Sequence, residues 1–291
     1  MAESGSGRPE WQASVGGLWP RSVPATMPRA ARIGEVVQEN YRTKTYILDC
    51  ELEARPGQYI MLWLPRLDEK PISLVSGSPL TITVADVGPF THALSQLGRG
   101  DRLHYRGPYG TPFDLAPDGS AETRGRRLLL VGGGYGVGPL HFLAREALPQ
   151  GVACEVVIGA RNRDDVLFVE RFQALGITPV VTTDDGSQGM RGMATDGARR
   201  ILDEQGSDAL HACGPEKMMR ALGEVAEARG LPCHLSVERY MKCGGLSLCG
   251  ACEVNGVLVC AEGPVLDWRL LKSLPDFGRL HRGRTAAQQP W

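Results

Sequence analysis

Between residues 32 and 115 apolar and polar positions alternate in short runs, each closed by turn residues. Residues 33–37, 43–49, 59–64, 80–84 and 102–105 follow this pattern, with breaks at Pro56-Gly57, Gly77-Ser78 and Gly100-Asp101. A period of two with frequent breaks predicts an antiparallel β-barrel. Past residue 126 the pattern changes. Residues 127–131 form a buried-strand run that ends in glycines, and a helical pattern over 139–147 follows. Strands over 154–158, 178–182 and 209–212 then alternate with helical segments over 166–175, 192–205 and 215–229. That alternation predicts an α/β domain, an open parallel sheet with helices on both faces. After Gly230 the alternation stops in a loop-rich tail. The chain therefore divides into an extension expected to be disordered (1–27), a barrel (28–118), a Rossmann-like nucleotide domain (122–230) and a small tail domain (231–291). Residues 116–126, rich in Pro, Asp, Gly, Ser, Glu and Arg, read as the linker.

Composition narrows the function classes. The 291 residues carry 32 basic and 33 acidic side chains, a net charge of -1, so nucleic acid and anionic membranes are not expected partners. No apolar run reaches the roughly 20 residues of a membrane helix. The longest, over 128–144, is interrupted by five glycines and a proline. Residues 1–27 lack the apolar centre of a secretory signal. They read as a disordered extension, or as sequence ahead of a true start at Met27. A cytoplasmic location is expected. Of eight cysteines, Cys243, Cys249, Cys252 and Cys260 crowd into eighteen residues, which in a reducing compartment points to metal or redox chemistry.

Four features carry chemistry. The first is the glycine turn Gly132-Gly133-Gly134-Tyr135-Gly136 between a strand and a helix. Such turns bring backbone N–H groups and a helix N-terminus to a pyrophosphate, although the spacing departs from G-x-G-x-x-G. The plain alternative is a turn that only permits tight strand–helix packing. The second is Cys213-Gly214-Pro215 at a strand end that faces the ligand crevice, where Cys213 would lie beside a nicotinamide ring. A small residue ahead of a helix-starting proline is the plain reading. The third is Lys70-Pro71-Ile72-Ser73, with Gly88-Pro89-Phe90-Thr91 downstream. A cation and a hydroxyl at a barrel mouth suit a flavin pyrophosphate, with a short helix opening at Gly88-Pro89, whereas an exposed lysine is usually only solvated. The fourth is Cys243-x5-Cys249-x2-Cys252-x7-Cys260. It resembles the plant-type [2Fe–2S] spacing, the alternative being a structural zinc site, which usually shows two C-x2-C knuckles.

In this order the features resemble the ferredoxin–NADP reductase superfamily. Within it, 238–245, Cys249-Gly250-Ala251-Cys252 and 259–265 resemble the electron-transfer subunits of type 1B dihydroorotate dehydrogenase. So do 184–189, Thr195-Asp196, Leu270-Leu271 and Asp276-Phe277-Gly278. The resemblance covers about residues 31–283. It implies FAD in the barrel, NAD in the second domain and a [2Fe–2S] cluster in the tail. It also implies a partner, an FMN-containing catalytic dihydroorotate dehydrogenase subunit, in a heterotetramer. Carried onto this chain, it places FAD contacts at Lys70, Pro71, Ile72, Ser73, at Thr83, Val84, Ala85, and at Gly88, Pro89 and Thr91. Nucleotide contacts fall at Gly132, Gly133, Gly134, Gly136, Cys213, Gly214 and Pro215, and cluster ligands at Cys243, Cys249, Cys252 and Cys260. Two departures stand out. Lysine occupies position 70 where the family usually has arginine, replacing a bidentate clamp by a point charge. The loop after Cys243 is one residue longer than usual. Rival readings are the same module serving a hydrogenase or a ferredoxin-dependent transhydrogenase, and a zinc-bound interaction module. In some of the former, aspartate replaces the first cluster cysteine, so Cys243 favours the dihydroorotate branch.

Overall fold

The computed structural model describes residues 27–116, 122–283 and 287–290. The expected extension, apart from Met27, lies outside the described residues, as do 117–121 of the expected linker.

Six strands form the expected closed antiparallel barrel. They are β1 (Arg29–Gln38), β2 (Thr43–Leu48), β3 (Tyr59–Leu64), β4 (Asp68–Gly77), β5 (Leu80–Ala85) and β6 (Arg102–Tyr109), in the order β1-β2-β5-β4-β3-β6. Ile33, Tyr46, Leu48, Ile60, Leu62, Leu74, Leu80, Ile82 and Leu103 fill its core. Strand β4 does not show in the hydrophobic pattern because it begins Asp68-Glu69-Lys70-Pro71. Residues 68–73 pair with β3, whereas pairing with β5 starts only at Leu74. A half-paired stretch tolerates a proline that a central strand would exclude. Helix α1 (Pro89–Ser95) opens where Gly88-Pro89 predicted it. The Thr91 hydroxyl accepts the N–H groups of Val87 and Gly88, and the Tyr46 hydroxyl donates to the Leu94 carbonyl, holding the helix on the barrel.

The second domain runs β7 (Arg127–Gly133), α2 (Val137–Ala147), β8 (Ala153–Ala160), α3 (Val169–Gln173), β9 (Val180–Thr183), β10 (Met190–Arg191), α4 (Ala194–Glu204), β11 (Ala209–Cys213) and α5 (Glu216–Glu227). The alternation does not stop at Gly230, correcting the expectation from sequence. The tail supplies β12 (Cys233–Ser236), parallel to β11, and then the hairpin β13 (Glu253–Val254) and β14 (Val257–Leu258), helix α6 (Val259–Glu262) and β15 (Val265–Asp267), antiparallel to β12. The sheet order is β10-β9-β8-β7-β11-β12-β15. Strands of four and three residues are too short to show a period, which is why the pattern missed them. The tail closes with α7 (Trp268–Leu271), β16 (Leu280–Arg282) and β17 (Gln288–Pro290).

The tail is thus built into the nucleotide domain. Leu235, Val237, Cys252, Val254, Val259, Cys260, Leu266 and Trp268 share one apolar core with Leu129, Val131, Leu210 and Ala212. Tyr59 and Met61 of the barrel belong to that core, and Phe142 of α2 belongs to the barrel's. Shared burial of this kind fixes the three parts against each other.

Candidate functional site

The chain leaves β7 toward β8 on one side and returns to β11 on the other, so the sheet reverses direction between β7 and β11. Ligands of open α/β sheets bind at such a reversal, beyond the carboxyl ends of the strands. The two turns there are the glycine turn after β7 and Cys213-Gly214-Pro215 after β11, and they pack directly on each other. A Cβ on Gly136 would lie 2.3 Å from the Cys213 carbonyl oxygen, so only glycine fits this approach. On Gly132 it would meet Val137 at 2.6 Å, and on Gly133 it would meet Met218 and Pro215 at 2.8 Å. Gly132 and Gly133 therefore serve the strand–helix packing that was the plain alternative, while beside Gly134 there is open space.

A cleft opens between this edge and the barrel. Of the residues named from sequence, Pro71, Ile72, Ser73, Thr83, Val84, Ala85 and Thr91 line its barrel side. Gly136, Cys213 and Gly214 line the other. Lys70, Gly88, Pro89, Gly132, Gly133, Gly134 and Pro215 are not among the lining residues. The Lys70 ammonium is turned to Asp68 at 2.5 Å and lies 5.1 Å from the centre of the Tyr240 ring.

Sequence reasoning missed Tyr59, Tyr135, Ser236, Glu238 and Arg239, all of which line the cleft. Tyr135 stood inside the glycine turn, and Glu238-Arg239 follow a strand end directly, a position that could have flagged them. Burial, then the neighbouring Glu238, pushes the Cys213 thiol up to about 12, so the thiol stays protonated. Glu238 opens onto the cleft yet is closely walled by protein, and desolvation raises its carboxyl. Glu238 and burial raise the Tyr135 phenol as well.

The four tail cysteines lie behind Tyr59, whose hydroxyl is 3.4 Å from the Cys260 carbonyl oxygen. They approach as pairs. Cys252 and Cys260 are 3.2 Å apart at sulfur, and Cys243 takes a hydrogen bond from Cys249. The intervening loops turn backbone N–H groups toward sulfur: Leu248 to Cys243 at 3.5 Å, Ala251 to Cys249 at 3.4 Å and Cys260 to Cys252 at 3.5 Å. Bonds from Cys252 and Ser247, working against burial, lower the Cys260 thiol to about 6, and Cys252 rises correspondingly. Gly244, at φ +67°, allows the loop after Cys243 to lie on the barrel. There its carbonyl accepts from Arg106 at 2.9 Å, and Arg106 is itself paired with Glu69. Among the described residues no three His, Cys, Asp or Glu side chains converge on a single metal ion.

A closed barrel, a parallel nucleotide domain and a four-thiol tail around one cleft define a pyridine-nucleotide-linked electron-transfer oxidoreductase. Comparison with known proteins agrees. Residues 130–224 match the oxidoreductase NAD-binding domain family. A protein of Methanocaldococcus jannaschii is 38% identical over 257 residues, 88% of this chain and 95% of the relative; one of Methanothermobacter thermautotrophicus is 39% identical over 273 residues, 91% and 98%. Both are named probable dihydroorotate dehydrogenase B (NAD(+)), electron transfer subunit. An NADH-dependent reduced ferredoxin–NADP oxidoreductase, solved in a study of flavin-based electron bifurcation, superimposes with a TM-score of 0.72 at 28% identity, covering 86% of this chain and 94% of that one. The chain belongs to the family of dihydroorotate dehydrogenase B (NAD(+)) electron transfer subunits. It is an NAD-linked oxidoreductase subunit. No helix among the described residues is long and apolar enough to cross a membrane.

Proposed function

We propose that this subunit draws electrons from an FMN-containing catalytic dihydroorotate dehydrogenase subunit and delivers them to NAD, in a complex with two copies of each chain. The net reaction is dihydroorotate plus NAD⁺ giving orotate, NADH and a proton. The observation that carries the reading is Tyr59, which lines the cleft and hydrogen-bonds the backbone of Cys260. One side chain thus separates the cleft from the four tail thiols.

The residues present fit the implied cofactors. Ser73, Thr83 and Thr91 offer hydroxyls on the barrel side for FAD, and Lys70, next to cleft-lining Pro71 and now turned to Asp68, would have to swing to reach its pyrophosphate. Four thiols in two pairs, with N–H groups aimed at sulfur, are the donor set of a [2Fe–2S] cluster at Cys243, Cys249, Cys252 and Cys260. When bound, FAD would exchange a hydride with NAD and single electrons with the cluster. The chain's own residues position and shield. Cys213, held as the thiol, and the raised Glu238 and Tyr135 line the nucleotide end of the cleft.

The test compares two activities of a Cys249→Ser variant assembled with the catalytic subunit, complex formation being checked by gel filtration. Dihydroorotate-dependent NAD reduction should fall far more than NADH oxidation by an artificial dye. Turnover of dihydroorotate at the parent rate in an intact complex would show that electrons bypass these cysteines. The likeness to the ferredoxin–NADP oxidoreductase favours one second reading, the same module feeding a different partner. Failure of any dihydroorotate dehydrogenase chain to bind would support it.

A further inference from the structure

Outside the cleft, the barrel reaches the nucleotide domain through the turn between β1 and β2. Asp165, a buried carboxylate in the loop after β8, gathers three side chains from both domains. It accepts from the Tyr41 hydroxyl at 3.0 Å, from Arg42 at 2.9 Å, and from Arg161 at 2.7 Å and 2.9 Å. Against the upward push of burial, the Tyr41 and Arg161 bonds and the charges of both arginines hold its carboxyl below the usual range. Arg171 pairs with Glu39 at 2.6 Å and pins the same turn.

Two guanidinium groups surround the Asp165 carboxylate, and the charge of Asp184 also acts on Arg161. Arg161 is 66% exposed at its side chain, and Tyr41 is 66% exposed with Arg42 lying 5.3 Å from its ring centre. The group lies beside the carboxyl edge of the sheet, although none of its members lines the cleft. Arg161 directly follows β8, at the carboxyl edge of the sheet beside β7 and its glycine turn. The Arg42 carbonyl accepts the N–H of Asp86, next to cleft-lining Ala85, and the charge of Arg42 acts on the Tyr135 phenol. A stacked aromatic face beside guanidinium donors suits a base and a phosphate.

We propose that the barrel turn forms part of the dinucleotide site, with Tyr41 stacking on the adenine and Arg42 and Arg161 holding the phosphate of the adenosine half. This rests on the NAD-linked function above. Asp165 acts as the positioning residue: it fixes three side chains before the ligand arrives, which reduces the ordering cost of binding.

The test uses the full, flavin-loaded chain with two substrates, NADH and reduced nicotinamide mononucleotide, which lacks the adenosine half. The readout is the ratio of their kcat/KM values with a dye acceptor. Tyr41→Ala and Arg42→Ala should each lower that ratio about tenfold, the loss of one stacked base or one charge-assisted bond. Tyr41→Phe removes the bond to Asp165 but keeps the ring, so it should retain most of the ratio. Alanine variants with the parent ratio, or equal losses with both substrates, would overturn the proposal. So would Tyr41→Phe falling as far as Tyr41→Ala, which would leave the turn only a latch between domains. A parent protein that oxidises neither substrate would overturn the NAD-linked reading itself, and this inference with it.

Discussion

Glu216 and Arg239 form an ion pair at 3.0 Å with side chains only 2% and 3% exposed. The same carboxylate oxygen accepts the Gly278 N–H at 2.9 Å, so one group ties the first turn of α5, the cleft wall and the C-terminal tail. Burial lowers the Arg239 pKa and the charge of Glu216 opposes that shift. Glu216→Gln keeps the shape and an acceptor but removes the compensating charge. Breaking a buried pair costs about 3–5 kcal/mol, and the remaining neutral hydrogen bonds return about 1 kcal/mol, leaving a loss of about 3 kcal/mol. In a chain of this size each kcal/mol shifts Tm by roughly 2–4 °C, so the variant should melt about 6–12 °C lower. Thermal unfolding of the holoprotein, followed by circular dichroism and by flavin release, measures this. The double variant Glu216→Leu with Arg239→Leu should recover a good part of the loss, since no charge is left buried. A Glu216→Gln protein melting within about 2 °C of the parent would refute the assigned role of the pair.

Acid should weaken the fold through histidines buried in neutral form. Burial depresses His211 to about 3 and His141 to about 4, so the unfolded chain binds these protons first, and stability is lost as pH falls below about 6.5. Each site should contribute a loss of about 2 kcal/mol by pH 5, and urea unfolding of His211→Phe should show a flatter pH profile than the parent. An equally steep profile in the variant would assign the acid sensitivity elsewhere. At position 70, Lys70→Ala should reduce flavin occupancy and Lys70→Arg should preserve it, as absorbance of the purified variants would show. Full occupancy in the alanine variant would leave Lys70 only its contacts with Asp68 and Tyr240.

The barrel and the βα alternation were legible because their runs are long enough to show a period. What escaped was set by short elements and distant contacts. Cys233–Ser236 and Val265–Asp267 carry no periodic signal, yet they extend the sheet and bind the tail to it. The cleft residues split along the same line. Ser73 and Cys213 sit in recognisable local contexts and Thr83 came from the resemblance, whereas Tyr59 reaches the cleft only through the way three parts pack. Packing was one of the two readings of Gly132 and Gly133, but the neighbours they pack on, Val137, Pro215 and Met218, come together only in the fold. The tail run Asp276-Phe277-Gly278 entered as a resemblance alone; the bond from Gly278 to Glu216 gives it a physical reason.

The central claim is that one cleft and one thiol group make a continuous path from nicotinamide to cluster, with Tyr59 between them. Anaerobic titration of the purified subunit with NADH, followed by visible absorbance and electron paramagnetic resonance, tests it most directly. The expected result is one FAD and about two irons per chain, bleaching of the flavin bands by NADH, and a paramagnetic signal from a reduced two-iron centre. A protein that carries zinc and no iron, or a flavin that NADH does not bleach, would contradict it.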